Sequence, residues 1–325
     1  MGARIAGTGS HLPEKRLTNA DLERLVDTSE EWIVQRTGIR TRHVLDKREV
    51  PSDMSVRAGT RALEDAGAQP EDVDLLLVAT NFPDMICPGS APFIAEELGL
   101  ANAPFFDLKA GCSGFVYGLS VADGLIRARL HRRVLLIGAE ALSRVTDWTD
   151  RQTCVLFGDG AGAALLEPGE DNEGILGAAL YGDAKKSLLL HMPGGGTRTP
   201  ASAESVAQRE HFVKMEGSGV FRNAAPMMET ATLDALRAAA LDLDDVDWII
   251  PHQANVRIID ALIRRLDVAP ERVITNLDRV ANTSAASIPI ALDEALRDGT
   301  IRRGDVVVMT AFGAGVTYGA VVVRL

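Results

Sequence analysis

Two parts of the chain repeat the same order of predicted elements at nearly the same spacing. Residues 61–74 and 234–247 each read as an amphipathic helix and a short acidic turn ending in Asp-Val-Asp, and an apolar strand follows each of them. The segments 133–138 and 305–310, which both enter an apolar strand, form a second matching pair. The first pair is offset by 173 residues and the second by 172. Helix–turn–strand units recur in all α/β proteins, but two independent matches at one offset favour a duplicated α/β domain.

The repeated strands, 75–78 and 248–250, are apolar without alternation. Strands of this kind, separated by helices, predict mainly parallel sheets that are covered by helices on both faces. An acidic stretch rich in Pro and Gly at 167–174 is typical of an exposed turn. We therefore predict an α/β protein with an N-terminal half, residues 1–170, and a C-terminal half, residues 171–325.

Charge, hydropathy and cysteine usage exclude several classes of protein. The net charge of −11 argues against nucleic-acid binding, which needs a basic face. No apolar run reaches the roughly 18–20 residues of a membrane span, and the N-terminus lacks the pattern of a secretory signal, so we expect a cytoplasmic protein. The three scattered cysteines form neither a disulfide framework nor a Cys-x-x-Cys zinc motif. The glycine run 158–162 does not match a dinucleotide fingerprint, and there is no Walker lysine motif.

Cys112 lies between a short predicted strand and a predicted helix. Apolar residues at helical spacing mark that helix: Phe115, Leu119, Ala122, Leu125 and Ile126. The unpaired N–H groups and the dipole of a helix N-terminus stabilise a thiolate, so this position predicts a lowered thiol pKa and a nucleophile. The alternative is a small buried cysteine that fills core space, which is the commoner fate of a lone cysteine.

Three further turns contain groups suited to catalysis. His252 directly follows the strand 248–250, at the end of a strand where α/β sheets bind ligands. Asn282 lies in a polar turn that opens a helix, where the alternative is an N-cap, a position that favours asparagine. The glycine turn 312–315 follows a strand and could direct backbone N–H groups at an oxyanion.

Taken together, four motifs resemble those of one family. They are Ala-Gly-Cys-Ser-Gly-Phe at 110–115, Pro-His-Gln-Ala-Asn at 251–255, Ala-Asn-Thr-Ser-Ala-Ala-Ser-Ile-Pro at 281–289 and Ala-Phe-Gly-Ala-Gly at 311–315. In order and spacing they resemble β-ketoacyl-acyl carrier protein synthase III, an initiating condensing enzyme of the thiolase fold. The likeness runs from residues 28–33 to the C-terminus and implies a homodimer with the duplicated αβαβα layered architecture.

The resemblance implies a catalytic triad of Cys112, His252 and Asn282, the first from the N-terminal half and the other two from the C-terminal half. In this family the thiolate takes an acyl group from acyl-CoA, and malonyl-acyl carrier protein then decarboxylates and attacks the acyl-cysteine. His252 and Asn282 would donate hydrogen bonds to the enolate oxygen, and the backbone N–H groups of Cys112 and Ala314 would bind the tetrahedral oxyanion. The reaction needs no metal or redox cofactor, and acyl-CoA is a substrate.

The same resemblance implies the substrate contacts. The expected CoA-binding residues are Thr28, Trp32, Arg36, Arg151, Gly217, Phe221 and Asn255, with Trp32 and Arg151 on either side of the adenine. Ser218 stands where many members have asparagine, which puts one pantetheine contact in doubt. The expected docking patch for the acidic carrier protein is Arg222, Arg257, Arg264 and Arg265. The alternative for the patch is a set of solvated arginines on helix faces.

Cys87 departs from the family pattern. In the family, the loop that contains it caps the primer pocket of the partner subunit, with a bulky phenylalanine in forms restricted to short primers. Cysteine is smaller, so we expect a deeper pocket that accepts branched or medium-length acyl groups, and Leu142 is expected to line it.

Three alternatives to fatty acid initiation fit some of these residues. A priming enzyme of a polyketide pathway would use the same chemistry, and the chain itself does not separate the two. A Cys-His-Asn thioester hydrolase is disfavoured because it has no use for the glycine turn, the duplicated sheet or the arginine patch. A non-catalytic scaffold is disfavoured because all three candidate catalytic residues are present.

Overall fold

A computed structural model describes residues 2–100, 103–170 and 172–325. The strands are β1 (Ala3–His11), β2 (Arg16–Thr18), β3 (Thr41–His43), β4 (Leu75–Ala79), β5 (Phe105–Leu108), β6 (Val134–Ala141), β7 (Asp159–Pro168), β8 (Gly174–Gly182), β9 (Leu190–His191), β10 (Lys214–Met215), β11 (Trp248–Pro251), β12 (Val306–Gly313) and β13 (Thr317–Arg324). The helices are α1 (Asn19–Glu23), α2 (Glu30–Thr37), α3 (Pro51–Ala66), α4 (Ala91–Leu98), α5 (Gly114–Arg127), α6 (Ala203–Ala207), α7 (Gly217–Ala238), α8 (Val256–Leu266), α9 (Leu277–Val280) and α10 (Ser287–Arg297).

Two large sheets have the same strand order. The first sheet runs β1-β7-β6-β4-β5, and the second runs β8-β13-β12-β11. Strands β4 and β6 of the first sheet contain the repeated segments that match β11 and β12 of the second. The two sheets divide the chain between β7 and β8, and β5 is an additional edge strand without an equivalent in the second sheet.

The expectation of mainly parallel sheets is wrong. Only the pairs β4–β5, β4–β6 and β11–β12 are parallel, whereas β1–β7, β6–β7, β8–β13 and β12–β13 are antiparallel. A short turn joins β12 to β13, and a connection of that length permits only an antiparallel pair. The strands are nevertheless uniformly apolar because helices cover both faces of each sheet, so the sequence pattern does not distinguish the two directions.

The layers stack as helix, sheet, helix, sheet, helix. The central core packs α5 and α10 between the inner faces of both sheets. A second core packs α3 and α4 on the outer face of the first sheet, and a third packs α7 and α8 on the outer face of the second. The predicted αβαβα architecture is thereby confirmed. Because α5 and α10 begin in the middle layer, the residues just before them lie at the centre of the molecule.

A glycine in β7 permits the close packing of α10. A Cβ added to Gly162 would lie 2.7 Å from the backbone nitrogen of Ile290 and 2.8 Å from the carbonyl carbon of Pro289. Both contacts involve helix backbone, which does not yield as a flexible side chain does.

We expect Gly162→Ala to lower the free energy of unfolding by about 2 kcal/mol, because the added methyl group overpacks this contact. Urea denaturation of the variant and the wild type measures the difference. Gly124→Ala is the matched control, because a Cβ at that position of α5 would meet nothing within 4 Å. A helical Gly→Ala exchange at such an open position is expected to stabilise by about 0.5–1 kcal/mol. Equal effects of the two substitutions would contradict the packing interpretation.

Candidate active site

Cys112 lies where two cavities meet. The first, of about 440 Å³, also receives His252 and Asn282 on its wall. The second, of about 510 Å³, extends on the other side of the cysteine and is lined in part by Leu142 and Ala314. The structure thus brings together three candidate catalytic residues from two different halves of the chain, and it opens the sulfur to two separate spaces.

Close approach of two turns fixes the position of Cys112. Gly111 has φ +58°, and a Cβ on it would lie 2.5 Å from both the backbone nitrogen and oxygen of Ala314. Only glycine meets both requirements without strain. Ser113, the N-cap of α5, donates a hydrogen bond from its hydroxyl to the carbonyl of Thr317 at 3.0 Å. The start of α5 is therefore held against the turn between β12 and β13.

The expected low pKa of the Cys112 thiol is wrong for the resting protein. The side chain is buried, and burial raises its pKa to about 11, with a smaller contribution in the same direction from the charge of Glu140. Hydrogen bonds from the Ser284 hydroxyl and from the backbone N–H groups of Ala314 and Cys112 act in the opposite direction without reversing the shift. The resting residue is therefore a neutral thiol that must lose its proton when it attacks.

Burial also keeps His252 neutral, lowering its pKa to about 3. Its Nδ1 lies 2.7 Å from the hydroxyl oxygen of Ser287, which already accepts the backbone N–H of Gln253 at 3.4 Å. We assign the Ser287 hydroxyl as the donor to Nδ1, which is the arrangement that a proton on Nε2 requires. The histidine proton is then on Nε2, so His252 presents an N–H donor.

The side chain of Asn282 is divided between two tasks. Its Oδ1 accepts the backbone N–H of Ser284 at 2.9 Å, so the capping role considered as an alternative is present. Within the described residues its Nδ2 makes no hydrogen bond to the protein, and the side chain lines the first cavity. One amide end therefore fixes the turn, and the other is available as a donor that does not titrate.

Two backbone N–H groups near the Cys112 sulfur, those of Cys112 and Ala314, act to lower the pKa of its thiol. Ala314 is not among the residues with positive φ, so its Cβ is accommodated in an ordinary backbone conformation. The same pair of donors can bind an oxyanion that forms on a carbonyl attached to this sulfur.

The predicted adenine site is closed by its own residues. The Arg151 guanidinium lies 4.1 Å from the centroid of the Trp32 ring, and Arg36 lies 5.7 Å from it. A planar base fits between Trp32 and Arg151 only if the guanidinium moves away. The hydroxyl of Thr28 is buried and has no partner among the described residues, which suits a ligand contact. Thr28 and Arg151 do not line the first cavity, whereas Trp32 and Arg36 do.

The predicted pantetheine residues lie along the first cavity. Gly217, Phe221 and Asn255 line it, together with Ser218. The amide of Asn255 caps α8 by accepting the N–H of Arg257 at 2.9 Å, and it donates to the carbonyl of Arg36 at 3.0 Å. Asn255 thus fixes the cavity wall through bonds within the protein.

The four predicted docking arginines lie on two helices that pack together, α7 and α8. Arg257 lines the cavity and lies over the Phe221 ring at 5.1 Å. Arg222 lies 3.7 Å from Glu216, and Arg265 lies 2.6 Å from Glu229. Arg264 has no ion pair among the described residues. The two ion pairs therefore offset part of the positive charge that the sequence predicts for this patch.

The two predicted primer-pocket residues are separated in the monomer. Leu142 lines the second cavity, whereas Cys87 is exposed and does not line it. Its neighbour Ile86 does line the cavity although it is 86% exposed. Cys87 therefore contributes to a primer pocket only if the pocket belongs to another subunit.

Sequence reasoning missed Glu140 and Ser284. Glu140 is fully buried on β6 and accepts a hydrogen bond from the Ser284 hydroxyl at 3.0 Å, and Ser284 acts to lower the pKa of the Cys112 thiol. One signal was available, because Glu140 is the single charged residue in the apolar strand 134–141. Ser284 gives no comparable signal within its run of small residues.

Across residues 2–100, 103–170 and 172–325 there is no group of three or more His, Cys, Asp or Glu side chains that could hold a metal ion. Over the same ranges, no helix combines the length and the apolar character needed to span a bilayer.

A neutral thiol at the junction of two cavities can receive an acyl group from one ligand and pass it to another. This chemistry, on two sheets with central helices, defines the class as the acyl-transferring enzymes of the thiolase fold. Models of the family "3-Oxoacyl-[acyl-carrier-protein (ACP)] synthase III" match residues 106–184, and those of its C-terminal domain match residues 236–325.

Full-length relatives give the same result. A β-ketoacyl-[acyl-carrier-protein] synthase III of Caldanaerobacter subterraneus subsp. tengcongensis is 50% identical over 324 residues, which is 100% of this chain and 98% of the relative. The crystal structure of the 3-oxoacyl-[acyl-carrier-protein] synthase III of Aquifex aeolicus VF5 has a TM-score of 0.92 and 42% identity, covering 100% of both chains. The priming β-ketosynthase of the R1128 polyketide pathway has a TM-score of 0.92 and 37% identity, covering 100% of this chain and 96% of that one. The chain belongs to the β-ketoacyl-[acyl-carrier-protein] synthase III family of condensing enzymes.

The buried neutral histidine has a consequence for stability. The folded protein keeps His252 neutral down to about pH 3, whereas an unfolded chain protonates it below about 6.5, so stability falls as the pH drops through that window. We expect His252→Gln to reduce the slope of unfolding free energy against pH by up to one proton, or about 1.4 kcal/mol per pH unit.

Urea denaturation at several pH values between 4 and 6.5 measures that slope. Ser287→Ala is the control, because it removes the hydroxyl partner but keeps the buried histidine, and it should retain the steep slope. An unchanged slope in His252→Gln would show that the ring is already charged or exposed in this range.

Proposed function

We propose that this enzyme joins an acyl group from acyl-CoA to malonyl-acyl carrier protein, with Cys112 as the acyl carrier, and so initiates fatty acid synthesis. The observation that carries the proposal is the meeting of two cavities at one thiol, with His252 and Asn282 on the wall of the first. A nucleophile that two separate cavities reach suits a reaction in which the acyl group stays while its donor is replaced.

In the first half-reaction, the Cys112 sulfur attacks the thioester carbonyl of acyl-CoA. The N–H groups of Cys112 and Ala314 bind the tetrahedral oxyanion, because they already point at the sulfur. The oxyanion collapses with release of CoA as a thiolate, and the acyl chain extends into the second cavity.

In the second half-reaction, malonyl-acyl carrier protein enters through the first cavity. Its thioester oxygen accepts hydrogen bonds from Nε2–H of His252 and Nδ2–H of Asn282, which stabilise the enolate as carbon dioxide leaves. The carbanion then attacks the acyl carbonyl, and the Cys112 sulfur departs. Every step uses side chains, backbone N–H groups and substrates, so the proposal includes no metal or redox cofactor.

The mouth of the first cavity suits the two anionic donors. Arg36 and Arg257 line it, and both can bind the phosphate groups of CoA or of a phosphopantetheine arm. Arg222, Arg264 and Arg265 on the adjoining helix surfaces add positive charge to a chain of net charge −11. A local cationic surface of this kind would direct an acidic carrier protein to the cavity.

We further propose that the enzyme is a homodimer paired along β5. Strand β5 is an edge of the first sheet, and Phe105 and Phe106 on it are 45% and 46% exposed. An edge strand with exposed aromatic residues favours pairing with a second copy. The preceding loop is tied to this strand, since Asp107 accepts the N–H groups of Ser90 and Ala91 at 2.9 Å. Pairing would therefore place the loop of Cys87 close to the interface with the partner subunit. A cytoplasmic location is consistent with the three free cysteines.

The second candidate is priming of a polyketide, favoured by the similarity to the R1128 priming β-ketosynthase. It shares every step above and differs in the acyl donor and the carrier protein. A thioester hydrolase is less well supported, because the donors at Nε2 and Nδ2 stabilise an enolate that hydrolysis does not form.

Intact-protein mass spectrometry tests the nucleophile. Wild-type protein incubated briefly with acetyl-CoA or isobutyryl-CoA is expected to gain one acyl group, and Cys112→Ala is expected to gain none, because the alanine has no sulfur. Cys154→Ala, which replaces another buried free cysteine, is the matched control and should acylate like the wild type. A folded wild type that takes up no acyl group from any acyl-CoA would contradict the proposed first step.

Primer selection tests the role of Cys87. We expect the wild type to accept isobutyryl-CoA as well as acetyl-CoA, and Cys87→Phe to lower the ratio of their acylation rates about tenfold, because a larger cap shortens the pocket. Leu130→Phe is the control, since Leu130 is exposed, lies outside the loop of Cys87 and lines neither cavity. Strict preference of the wild type for acetyl-CoA would rule out the deeper pocket.

A further inference from the structure

Residues 192–213 leave the body of the protein after β9 and return to it at β10, and they contain α6. Strands β9 and β10 pair at the base of this segment. The segment supplies part of the wall of the second cavity through Met192, Val213 and the glycine run 194–196, here called the glycine wall. Because Cys112 lines the same cavity, movement of the segment would change the space on that side of the sulfur.

The glycine wall has no side chains that could anchor it, so its backbone contacts determine its position. The N–H of Gly194 donates a hydrogen bond to the carbonyl of Glu210 at 2.8 Å, and the N–H of Gly195 donates to the carbonyl of Thr199 at 2.9 Å. A Cβ added to Gly194 would lie 3.0 Å from the Cβ of Glu210, which is closer than an ordinary van der Waals contact. The glycine wall therefore follows the chain around Glu210.

Arg209, the residue before Glu210, forms an ion pair with Asp147 on the body of the protein. Its Nε donates to Oδ2 of Asp147 at 2.7 Å and its Nη2 donates to Oδ1, so the guanidinium binds both carboxylate oxygens. Asp147 is buried, whereas the Arg209 side chain is half exposed. Hydrogen bonds from Arg209 and Thr149 hold the pKa of Asp147 well below its usual range, so the pair stays ionised. A bidentate pair of this kind is both strong and directional.

The backbone of Arg209 is in the left-handed region, with φ +58°. It follows α6, where the N–H of Arg209 bonds to the carbonyl of Val206 at 3.0 Å and the N–H of Glu210 bonds to that of Ser205 at 3.0 Å. Glycine is the usual residue at this position after a helix, because a Cβ is strained there. A strained residue persists where surrounding contacts fix it. The ion pair with Asp147 is such a contact, and glycine could not form it.

Two hydrogen-bonded links join residues 192–213 to the body of the protein in the part of the chain that the structure describes. One is the N–H of Val213, which donates to the carbonyl of Val145 at 2.9 Å, and the other is the pair of Arg209 with Asp147. The backbone link lies at the end of the segment, whereas the ion pair lies beside the residue that holds the glycine wall. Loss of the ion pair would therefore free the wall and leave the end of the segment attached.

We propose that the ion pair between Arg209 and Asp147 fixes residues 192–213 as a wall of the second cavity, and thereby limits the length of the acyl group that Cys112 accepts. This inference rests on the proposed function, in which the acyl chain extends into that cavity. Arg209 and Asp147 do not line the cavity themselves. They are positioning residues that act through the glycine wall. When the pair is broken, the wall can move outwards and a longer acyl chain fits.

Acyl-chain selectivity tests the inference. The rates at which acetyl-CoA and decanoyl-CoA acylate Cys112 are measured by intact-protein mass spectrometry on the full chain. Arg209→Asn tolerates the left-handed backbone but is too short to reach Asp147, and it should raise the ratio of the decanoyl to the acetyl rate about tenfold. Asp147→Asn should have the same effect, and the double variant should exceed neither, since both changes break one contact. Arg209→Lys keeps the charge without the planar fork, so its ratio should lie between those of the wild type and Arg209→Asn.

Cleavage by trypsin after Arg198 tests the position of the segment without any acyl-CoA. Arg198 is exposed within residues 192–213, and cleavage there should be about tenfold faster in Arg209→Asn than in the wild type, because the freed segment opens more often. Arg297→Asn is the matched control. Arg297 is also half exposed and pairs with a buried carboxylate, that of Asp293, at 2.9 Å, but it lines neither cavity. This control should change neither the acyl ratio nor the cleavage rate.

The two measurements separate failure of this inference from failure of the proposed function. An unchanged acyl ratio in Arg209→Asn and Asp147→Asn, or an equal change in Arg297→Asn, overturns the inference and leaves the condensation intact. If neither acyl-CoA acylates the wild type, the condensation is overturned. In that case, faster cleavage after Arg198 in Arg209→Asn retains the ion pair as the contact that fixes the segment, and an unchanged cleavage rate overturns that role as well.

Discussion

The close approach of two turns, one from each half of the chain, determines the geometry of the whole site. Gly111 has no room for a Cβ against Ala314, and the contact holds the first turn of α5 against the end of β12. The turn of Gly111 precedes α5, and the turn of Ala314 follows β12 of the second sheet. The two sheets must therefore stack with α5 and α10 between them for the contact to form. The same contact brings the N–H of Ala314 to the sulfur of Cys112. The contact that packs the two halves together thus also forms the proposed oxyanion site.

Much of the fold could be predicted because its signals are local. The repeated helix–turn–strand segments indicated the duplication, and the apolar periodicity after Cys112 correctly placed α5. The prediction of mainly parallel sheets was wrong. Helices cover both faces of each sheet, so parallel and antiparallel strands have the same apolar pattern. The prediction of a low pKa for the Cys112 thiol was wrong for a related reason. A helix N-terminus can be recognised in the sequence, but the degree of burial depends on residues from the other half of the chain.

The candidate site was predicted only as far as its residues lie in distinctive motifs. Cys112, His252 and Asn282 each occupy a turn that differs from its surroundings, and the structure places all three on one cavity. Glu140 and Ser284 are 144 residues apart, and their contact follows only from the stacking of β6 beneath the turn before α10. The only available signal was an acidic residue, Glu140, in an apolar strand. Such a residue indicates that the buried carboxylate has a hydrogen-bond partner, but it does not identify the partner.

The three titratable groups at the centre of the site share one tendency. Burial raises the pKa of Cys112 and of Glu140 and lowers that of His252, so in every case it favours the neutral form. A resting site with little charge is cheaper to bury, and it attracts water less strongly than an ion pair of thiolate and imidazolium would. In the proposed condensation, negative charge would develop mainly on the substrate oxygens, which would accept hydrogen bonds from the N–H groups of Cys112 and Ala314 and from His252 and Asn282. Fixed donors around a charge that appears only during the reaction stabilise the transition state more than the ground state, which is the condition for catalysis.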